Sequence, residues 1–445
     1  MKLKYIDNAC VMVECSGKRV LCDPWLSDGI YYGSWFHYPP LTVSAKDFAD
    51  VDYIYISHIH PDHFDPVTLA EMSKDIPILI LDFADKFVLH GLQNLGFKVI
   101  YEVGHGQKFT LAPGFTIEIL AADNCDPEIC GRFFNCSIPE PYTKTKQIDS
   151  LAVFQGEDGV LVNTNDCPYP LAKSVCAHIL NEYGHVDLLL VGYRSAGPFP
   201  QCFDNFTPEE KAAAAIKQRD QRMAHGLDYI RHLRPSTFLP FAGQYILGGK
   251  LSHLNQYLLP NIEDLQSLYL PLLEKDQRMI MLNSLSTYDL KTQVASSPFI
   301  PPSTGARKKY IEEVLSQKKF VYEDDSPVIE NEHLLEKLNW ALDKLRAHRK
   351  FFQFESEWTI YLDTGSSSYY RIPFASGEEE RVNRVHPSDA VSPYLKVRVD
   401  PRLLVRILDR KAHWNNAEIG SHLGFFREPN EFNRTIHFLM SYFHC

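Results

Sequence analysis

The sequence predicts an α/β fold, in which helices cover sheets. Three observations lead to this prediction. Strand-like segments alternate with helix-like segments, for example at residues 76–81, 86–94 and 99–102, and this alternation is typical of α/β domains. Hydrophobic residues make up 45% of the 445 residues, which is enough to bury a sizeable core. No apolar run reaches the length that a membrane-spanning helix needs.

Composition limits the classes of partner. The formal net charge is −11, and it is spread along the chain, which argues against non-specific binding to nucleic acid or to an anionic membrane. The amino terminus leads into strand-like sequence without the apolar core of a signal peptide, so we expect a cytoplasmic protein. The ten cysteines are scattered and are expected to be reduced thiols. Their one dense cluster, Cys125, Cys130 and Cys136, matches no zinc or iron–sulfur spacing.

A hairpin opens the chain, with strands predicted near residues 10–15 and 20–22 around a Ser-Gly-Lys turn. It ends in Asp23-Pro24-Trp25, where the proline stops the strand. We interpret Asp23 as a cap of this turn, with a supporting role near a metal as the alternative. The aromatic segment at residues 27–41 is interpreted as cover for the core edge, with a substrate-stacking wall as the alternative.

The next element carries the main chemical motif. A predicted strand at residues 53–56 is followed by His58-Ile59-His60-Pro61-Asp62-His63, and a helix is predicted at residues 66–72. Imidazole nitrogen and carboxylate oxygen are ligands for zinc, iron or manganese. This spacing lets one loop serve two ions, with His58 and His60 facing one and Asp62 and His63 facing the other. Ordinary polar residues in a turn are the alternative interpretation.

The motif resembles the metal-binding signature of the metallo-β-lactamase superfamily. The resemblance implies a four-layer αββα sandwich that starts at the first residue and holds a dinuclear site along one edge. The hairpin that ends in Asp23-Pro24-Trp25 resembles the opening of that domain. The strands and helices predicted after the motif supply the α/β pattern that such a sandwich needs.

The resemblance also implies a third ligand for the first ion. Many members of the superfamily supply a histidine here, but no histidine lies between His105 and His178. A carboxylate must therefore substitute, and Asp126 is the preferred candidate, with Asp123 and Glu128 as alternates. An oxygen ligand in place of nitrogen favours iron or manganese over zinc. The alternative is that these acids only shape a loop and that the first ion is bound weakly or not at all.

A shared ligand is implied next. The predicted strand at residues 160–163 ends in Thr164-Asn165-Asp166. The superfamily places its bridging carboxylate at this point of the chain, so the resemblance implies that Asp166 serves both ions. A plain turn cap is the alternative. Asp62 and Asp166 are the residues we assign to catalysis.

A long helix is predicted to begin at Thr207-Pro208-Glu209-Glu210, which has the features of a capping box. The sequence after this helix points to one family within the superfamily. The Pro240-Phe241-Ala242-Gly243 segment then leads into a loop that carries His253. Together with the motif at residues 58–63 and the segments at 163–167 and 196–200, these places resemble the catalytic part of the CMP-N-acetylneuraminate hydroxylase family. By that likeness His253 is the last ligand of the second ion. A surface histidine is the alternative.

One departure from that family concerns electron supply. The hydroxylase family also carries a Rieske iron–sulfur domain, which needs Cys-x-His paired with Cys-x-x-His. Cys176-Ala177-His178 matches the first half, inside a predicted helix, and no Cys-x-x-His occurs in these 445 residues. An oxygenase activity therefore implies a separate electron donor of the Rieske or ferredoxin type.

The composition changes at a Pro/Ser/Gly-rich linker, residues 298–305. We therefore expect a dinuclear metal domain at residues 1–297 and a C-terminal α+β extension at residues 298–445. The extension has predicted helices near 332–348 and 401–408 and a few strands, and it carries no chemical motif. We expect it to cover the mouth of the site or to form a subunit contact in a homo-oligomer.

Two functions are compatible with two metal ions, for which iron is favoured over zinc or manganese. The first is a diiron oxygenase that hydroxylates or otherwise oxidises a small-molecule substrate, for example a sugar nucleotide. The alternative is a hydrolase that attacks an ester, lactone, amide or phosphodiester with a bridging hydroxide. Hydrolysis is the commoner chemistry of the superfamily, whereas the narrower resemblance and the missing histidine favour the oxygenase.

Overall fold

The structure is a computed structural model that describes residues 1–122, 149–328 and 332–445. In chain order its strands are β1 (Lys2–Asp7), β2 (Cys10–Cys15), β3 (Lys18–Cys22), β4 (Trp35–Phe36), β5 (Tyr53–Tyr55), β6 (Ile78–Leu81), β7 (Ile100–Val103), β8 (Lys108–Ala112), β9 (Phe115–Ala121), β10 (Ser150–Gly156), β11 (Gly159–Asn163), β12 (Leu188–Gly192), β13 (Thr237–Phe241), β14 (Ile246–Leu247), β15 (Thr287–Asp289), β16 (Val294–Ala295), β17 (Thr359–Asp363), β18 (Tyr369–Ile372), β19 (Asn383–Val385), β20 (Tyr394–Arg398) and β21 (Gly424–Glu428).

Apart from a short distorted helical segment at Ile30–Gly33, the α-helices of the described residues are α1 (Pro66–Glu71), α2 (Phe87–Asn94), α3 (Tyr169–Tyr183), α4 (Pro208–Leu233), α5 (Leu265–Tyr269), α6 (Thr304–Glu313), α7 (Glu332–Phe351), α8 (Pro401–Leu408), α9 (Trp414–Ile419) and α10 (Arg434–Met440). Short 3₁₀ turns connect several of these elements, among them Gly249–Tyr257. Within the described ranges, no helix combines the length and the apolar character needed to cross a membrane.

Two large sheets pack face to face. The first has the strand order β16-β15-β1-β2-β3-β5-β6-β7, and the second has the order β13-β12-β11-β10-β9-β8. Apolar side chains of both sheets form one core, which also takes in residues of α1 and α2. A second core joins the other face of the second sheet to α3 and α4. The predicted αββα sandwich is confirmed.

Strand β10 shows why the central strands have continuous apolar sequences. Ala152 and Phe154 lie in the core between the sheets, whereas Leu151 and Val153 lie in the core under α3 and α4. Successive side chains of a strand point to opposite faces. A strand that is covered on both faces is therefore apolar at every position.

Helix α4 begins as its sequence predicts. The Thr207 hydroxyl accepts a hydrogen bond from the Glu210 amide at 3.3 Å, and the Glu210 carboxylate accepts one from the Thr207 amide at 2.8 Å. This capping box satisfies two amides that the first turn of a helix leaves without partners. The resulting 26-residue helix packs on the second sheet.

The C-terminal region contains a five-stranded sheet with the order β19-β18-β17-β20-β21. It shares a core with the first part of the chain, in which Trp25, Trp35 and Tyr245 pack with Leu338 and Trp414. The boundary between residues 297 and 298 therefore stays a prediction, because the two regions bury side chains together. Strand β21 was not predicted, and it forms by pairing with β20 rather than from a local signal.

Candidate metal centre

Four chain segments meet at one edge of the sandwich. Strands β3 and β5 run parallel, and they end there with Asp23 and with the loop that starts at Ser57. Strand β11 ends nearby, and the antiparallel β10 begins beside it. Ser150 joins the two sheets, because its hydroxyl contacts the Tyr55 hydroxyl at 2.8 Å and donates to the Ser57 carbonyl at 2.9 Å. The topology thus collects side chains that are distant in sequence.

Five predicted ligands come together at this edge. His58, His60 and His63 converge with carboxylates from other segments in two groups whose donor atoms lie within 4.8 Å of one another. One group is His58, His60 and Asp149, and the other is His58, His63 and Asp166. Asp62 joins the second group, since its Oδ2 lies 3.5 Å from Nε2 of His63.

The ring of His58 is oriented by its neighbours. The Ser57 hydroxyl donates to Oδ2 of Asp23 at 2.6 Å, so its oxygen is free to accept from Nδ1–H of His58 at 3.0 Å. This arrangement leaves Nε2 of His58 as the lone-pair nitrogen. That atom lies 2.9 Å from Nδ1 of His60, and both nitrogens therefore point at the same place.

His60 is held in the complementary orientation. Its Nε2 lies 3.1 Å from the side-chain oxygen of Asn415, which accepts a hydrogen bond from Nε2–H. Its Nδ1 then carries the lone pair that faces Nε2 of His58. The outer nitrogen of a metal-binding histidine usually donates such a bond, because the bond fixes the tautomer and the ring orientation.

Asp23 orients His63. Its Oδ2 accepts a hydrogen bond from Nδ1–H of His63 at 2.7 Å, and its Oδ1 accepts one from the Ser57 amide at 2.7 Å. The interpretation of Asp23 as a plain turn cap is therefore wrong, because this fully buried carboxylate makes a supporting contact to a predicted ligand. The carboxylate–imidazole pair is typical of residues that support a metal ligand.

The other nitrogen of His63 shows that the donor set fits a metal. Nε2 is buried and has no hydrogen-bond partner, yet it lies 3.5 Å from an oxygen of Asp62 and 3.5 Å from one of Asp166. Two ligands bonded at about 2.1 Å to one ion are about 3.0 Å apart at an octahedral angle and about 3.4 Å apart at a tetrahedral angle. The spacing of these donors suits coordination to a shared cation.

One carboxylate oxygen of Asp62 accepts a hydrogen bond, and the other can bind a metal. The Tyr31 hydroxyl donates to Oδ1 of Asp62 at 2.6 Å, which leaves Oδ2 facing His63. Tyr31 lies in a left-handed turn with φ of 49°, a conformation that costs energy for a residue other than glycine. Burial, and then the charge of Asp62, raise the pKa of Tyr31 well above its ordinary value, so the hydroxyl stays a donor.

Asp149 is a sixth member that the sequence did not indicate. It is buried, and its Oδ1 lies 3.4 Å from Nδ1 of His58. That oxygen has no hydrogen-bond partner. Burial, and then the negative charge of Asp166, raise the pKa of Asp149 to about 8. Asp149 directly precedes β10, whereas the sequence predicts the carboxylate ligand of the first ion at Asp126, in the segment that follows β9.

The electrostatics of the cluster also favour a cation. Burial lowers the pKa of His58 well below its ordinary value and lowers that of His60, so both rings are neutral donors. Burial raises the pKa of Asp62. Burial opposes the ionisation of Asp166 too, but the imidazole of His63 holds its pKa below the usual value. Burial opposes the protonation of His63, but the charges of Asp166, Asp62 and Asp23 raise its pKa well above the ordinary value. Several carboxylates in a buried place are costly unless positive charge offsets them; the imidazolium of His63 supplies one such charge, and a divalent cation would supply more.

The cluster opens to solvent on one side. The side chains of His58 and His63 are fully buried, whereas 27% of the Asp166 side chain is exposed. Solvent therefore contacts the cluster at Asp166.

Two of the predicted metal ligands, His253 and Asp126, are not among the described residues of this cluster. The structure does not bring His253 to it, since neither donor group found among the described residues includes that histidine. His253 is exposed in the 3₁₀ turn Gly249–Tyr257, and its Nδ1–H donates to the Lys250 carbonyl at 2.8 Å. Asp126 and its alternates Asp123 and Glu128 lie outside the described residues.

The residues that sequence reasoning missed are Asp149, Tyr31, Asn415 and His422, of which the last two come from the C-terminal region. The available signal for Asp149 was its position directly before a buried strand that pairs with the strand ending near Asp166. For Asn415 and His422 there was none, because they lie more than 350 residues from their partners, His60 and Tyr31.

Comparisons with known proteins find similarity over part of this chain. Residues 2–125 match the family model of the beta-lactamase superfamily domain, and the predicted resemblance is confirmed. A cytidine monophosphate-N-acetylneuraminic acid hydroxylase of Cricetulus griseus is 25% identical over 258 residues, which cover 55% of this chain and 40% of the relative. A Mycobacterium tuberculosis protein named for a Rieske 2Fe-2S iron–sulfur protein is 27% identical over 259 residues, covering 57% and 46%.

The matched region spans less than half the length of these curated relatives. Solved structures that align with the chain include an isothiocyanate hydrolase from Delia radicum gut bacteria, with a TM-score of 0.46, 16% identity and coverage of 65% of this chain and 99% of that one. They also include CmlA, a diiron beta-hydroxylase from Streptomyces venezuelae, with a TM-score of 0.38, 14% identity and coverage of 63% and 53%.

Proposed function

We propose that the chain is an oxygenase with two metal ions, preferably iron, that hydroxylates or otherwise oxidises a small molecule. Oxygen is the oxidant, and electrons come from a Rieske or ferredoxin-type carrier outside these 445 residues. The observation that carries the proposal is the donor set at the sheet edge, in which three imidazoles meet three carboxylates. Two bound irons would supply the redox capacity that oxygen activation requires.

The proposed ligands divide between two positions. Nε2 of His58 and Nδ1 of His60 face the first ion, and Nε2 of His63 with Oδ2 of Asp62 faces the second. Asp166 lies within 4.8 Å of donors of both His58 and His63, which suits a shared ligand. The first ion requires a further carboxylate, for which Asp149 and Asp126 are the two candidates.

Iron is proposed over zinc because carboxylates make up half of the donor set. Structural zinc sites use mainly cysteine and histidine, whereas carboxylates beside imidazoles suit iron and manganese. The relatives named as a hydroxylase and as a Rieske iron–sulfur protein support an oxidative reaction that draws electrons from an iron–sulfur carrier. Any sugar nucleotide or related metabolite is a candidate substrate by analogy.

The protein's own groups have definable tasks in this reaction. Asp23, Ser57 and Asn415 fix the tautomers of the three imidazoles. The core between the sheets keeps bulk water away from the buried face of the cluster. Asp166 is partly exposed to solvent, and substrate would approach the ions from that side.

A hydrolase is the second candidate. The match to the beta-lactamase superfamily domain favours it, since a two-metal centre of this kind also serves hydrolysis, in which an activated water attacks an ester, lactone, amide or phosphodiester. The same ligands would be used, so the two candidates differ in metal identity and in oxygen consumption.

The test measures metal content and oxygen uptake together. The chain is purified anaerobically from cells supplied with iron, zinc and manganese, reduced chemically, and then exposed to oxygen. We expect about two irons per chain and oxygen consumption by the reduced protein. His58→Ala should lose both, while the matched control His90→Ala, at an exposed position of α2, should keep both. Stoichiometric zinc without oxygen uptake would contradict the oxygenase and leave the hydrolase.

A further inference from the structure

The segment at residues 413–422 of the C-terminal region lies directly against the metal centre. It includes α9, and two of its side chains reach the first part of the chain at the site. Asn415 contacts His60, and His422 contacts the backbone of Tyr31. The sequence of this segment contains no metal-binding or catalytic motif that would predict its position beside the metal centre.

Asn415 is matched to His60 by chemistry as well as distance. Its Oδ1 lies 3.1 Å from Nε2 of His60 and can only accept a hydrogen bond, so Nε2 of His60 carries the proton. With the proton on Nε2, the lone pair is on Nδ1, the atom 2.9 Å from Nε2 of His58. Asn415 therefore selects the tautomer in which His60 can bind the first ion.

His422 reaches the Asp62 side of the cluster through Tyr31. Its Nε2–H donates to the Tyr31 carbonyl at 2.7 Å, and its Nδ1 accepts from the Tyr322 hydroxyl at 3.0 Å. Tyr31 in turn donates its hydroxyl to Asp62 at 2.6 Å. The carbonyl contact holds the left-handed turn that aims the Tyr31 hydroxyl at Asp62.

The segment is seated by packing that leaves little freedom. Trp414 and Ala417 are 1% and 0% exposed and belong to the core shared by both regions of the chain. The His413 amide donates to the Tyr32 hydroxyl at 2.6 Å. At Gly420 an added Cβ would lie 3.0 Å from Cβ of Tyr31, so the backbone approaches Tyr31 closely.

We infer that the C-terminal region is a structural part of the metal centre, in which Asn415 is a positioning residue for His60 and His422 is a positioning residue for the Tyr31–Asp62 pair. The inference rests on the proposed two-ion site. The C-terminal region would then be more than a cover for the site, because the ligands of both ions would depend on hydrogen bonds that it supplies.

The test uses Co²⁺ titration of the full chain, followed by visible absorption and by competition with a chelator. Asn415→Leu keeps nearly the same volume but removes the acceptor, and Asn415→Asp keeps an acceptor. Loss of an outer hydrogen bond of this kind lowers metal affinity by about 10- to 100-fold. We expect that loss for one of the two ions in Asn415→Leu, with a changed absorption spectrum, and nearly wild-type binding in Asn415→Asp. The matched control is Asn383→Leu, at an exposed position of β19.

The outcomes separate the inference from the proposed function. If wild type binds two Co²⁺ ions and Asn415→Leu does so with the same affinity and spectrum, the inference is overturned while the two-ion site stands. Equal loss in Asn415→Leu and Asn415→Asp, with thermal unfolding unchanged, also overturns the hydrogen-bond role. A wild-type chain that fails to bind two ions overturns the proposed function, and the inference fails with it.

Discussion

Asp23 and His63 form a fully buried pair in which Nδ1–H of the imidazole donates to the carboxylate over 2.7 Å. The bond directs Nε2 of His63, which has no hydrogen-bond partner, toward Asp62 and Asp166. Removing the negative charge in Asp23→Asn should weaken this orientation and lower the affinity for one ion by about 10-fold or more. Chelator competition measures the change.

The matched control for that prediction is Asp75→Asn. Asp75 forms a salt bridge with Lys98 in which the side chains are 73% and 67% exposed, and such surface pairs contribute little. Metal affinity should be unchanged in this variant. Equal affinities for Asp23→Asn and wild type would show that Asp23 does not support the centre.

Tyr31→Phe removes the donor to Oδ1 of Asp62. A buried carboxylate oxygen that loses its partner destabilises the fold by about 1–3 kcal/mol, and Asp62 is 6% exposed. We expect a lower free energy of unfolding and weaker binding of the second ion, measured by urea denaturation and metal titration. The control is Tyr101→Phe. Tyr101 lies in β7 and is 42% exposed, so this variant should match wild type.

Gly420→Ala should displace the C-terminal segment. The new methyl group would lie 2.9 Å from Cδ2 of His422 and 3.0 Å from the Asn416 carbonyl oxygen, which is closer than packed atoms tolerate. Overpacking of this kind costs about 1–3 kcal/mol. The midpoint of denaturant unfolding measures this loss of stability. The control is Gly305→Ala in α6, where the nearest atom to the added Cβ is 3.9 Å away, and this variant should not lower the midpoint.

The titration of His422 predicts a pH dependence of stability. Burial lowers its pKa to about 4, whereas an unfolded chain has a histidine pKa of about 6.5. Between these values the unfolded chain binds a proton that the folded chain does not, so the free energy of unfolding falls as pH falls from about 6.5 to about 4. Each pKa unit corresponds to about 1.4 kcal/mol.

His422→Gln supplies the comparison, because glutamine retains a donor for the Tyr31 carbonyl but does not titrate in this range. Urea unfolding at pH 7 and at pH 5 should show a smaller loss of stability in this variant than in wild type. The same loss in both proteins would mean that His422 titrates normally in the folded chain.

The sequence reveals the part of this centre that is local. His58, His60, Asp62 and His63 occupy one short loop after a buried strand, so their residue types and spacing suffice to indicate a metal site. The hairpin before Asp23 and the start of α4 are equally local, because turn and capping signals act over a few residues. Those elements are predicted with boundaries close to the observed ones.

The rest of the centre depends on long-range packing. Asp149 precedes a strand that pairs locally with β11, but its sequence neighbours do not reveal that this hairpin brings it beside His58. Asn415 reaches His60 only because Trp414 and Ala417 are buried in a core built from both regions of the chain. The prediction of His253 as a ligand rests on likeness to a family. The structure places this histidine in an exposed turn. The position of a residue in the sequence does not determine the direction in which its loop points.

The most direct measurement of the central claim is anomalous X-ray diffraction at the iron edge from crystals of the chain loaded anaerobically with Fe²⁺. The account predicts two iron peaks, one between Nε2 of His58 and Nδ1 of His60 and the other beside Nε2 of His63, Oδ2 of Asp62 and Asp166. It also predicts that Asn415 contacts His60 in that crystal. A single peak, or a peak at His253 without one between His58 and His60, would contradict the account.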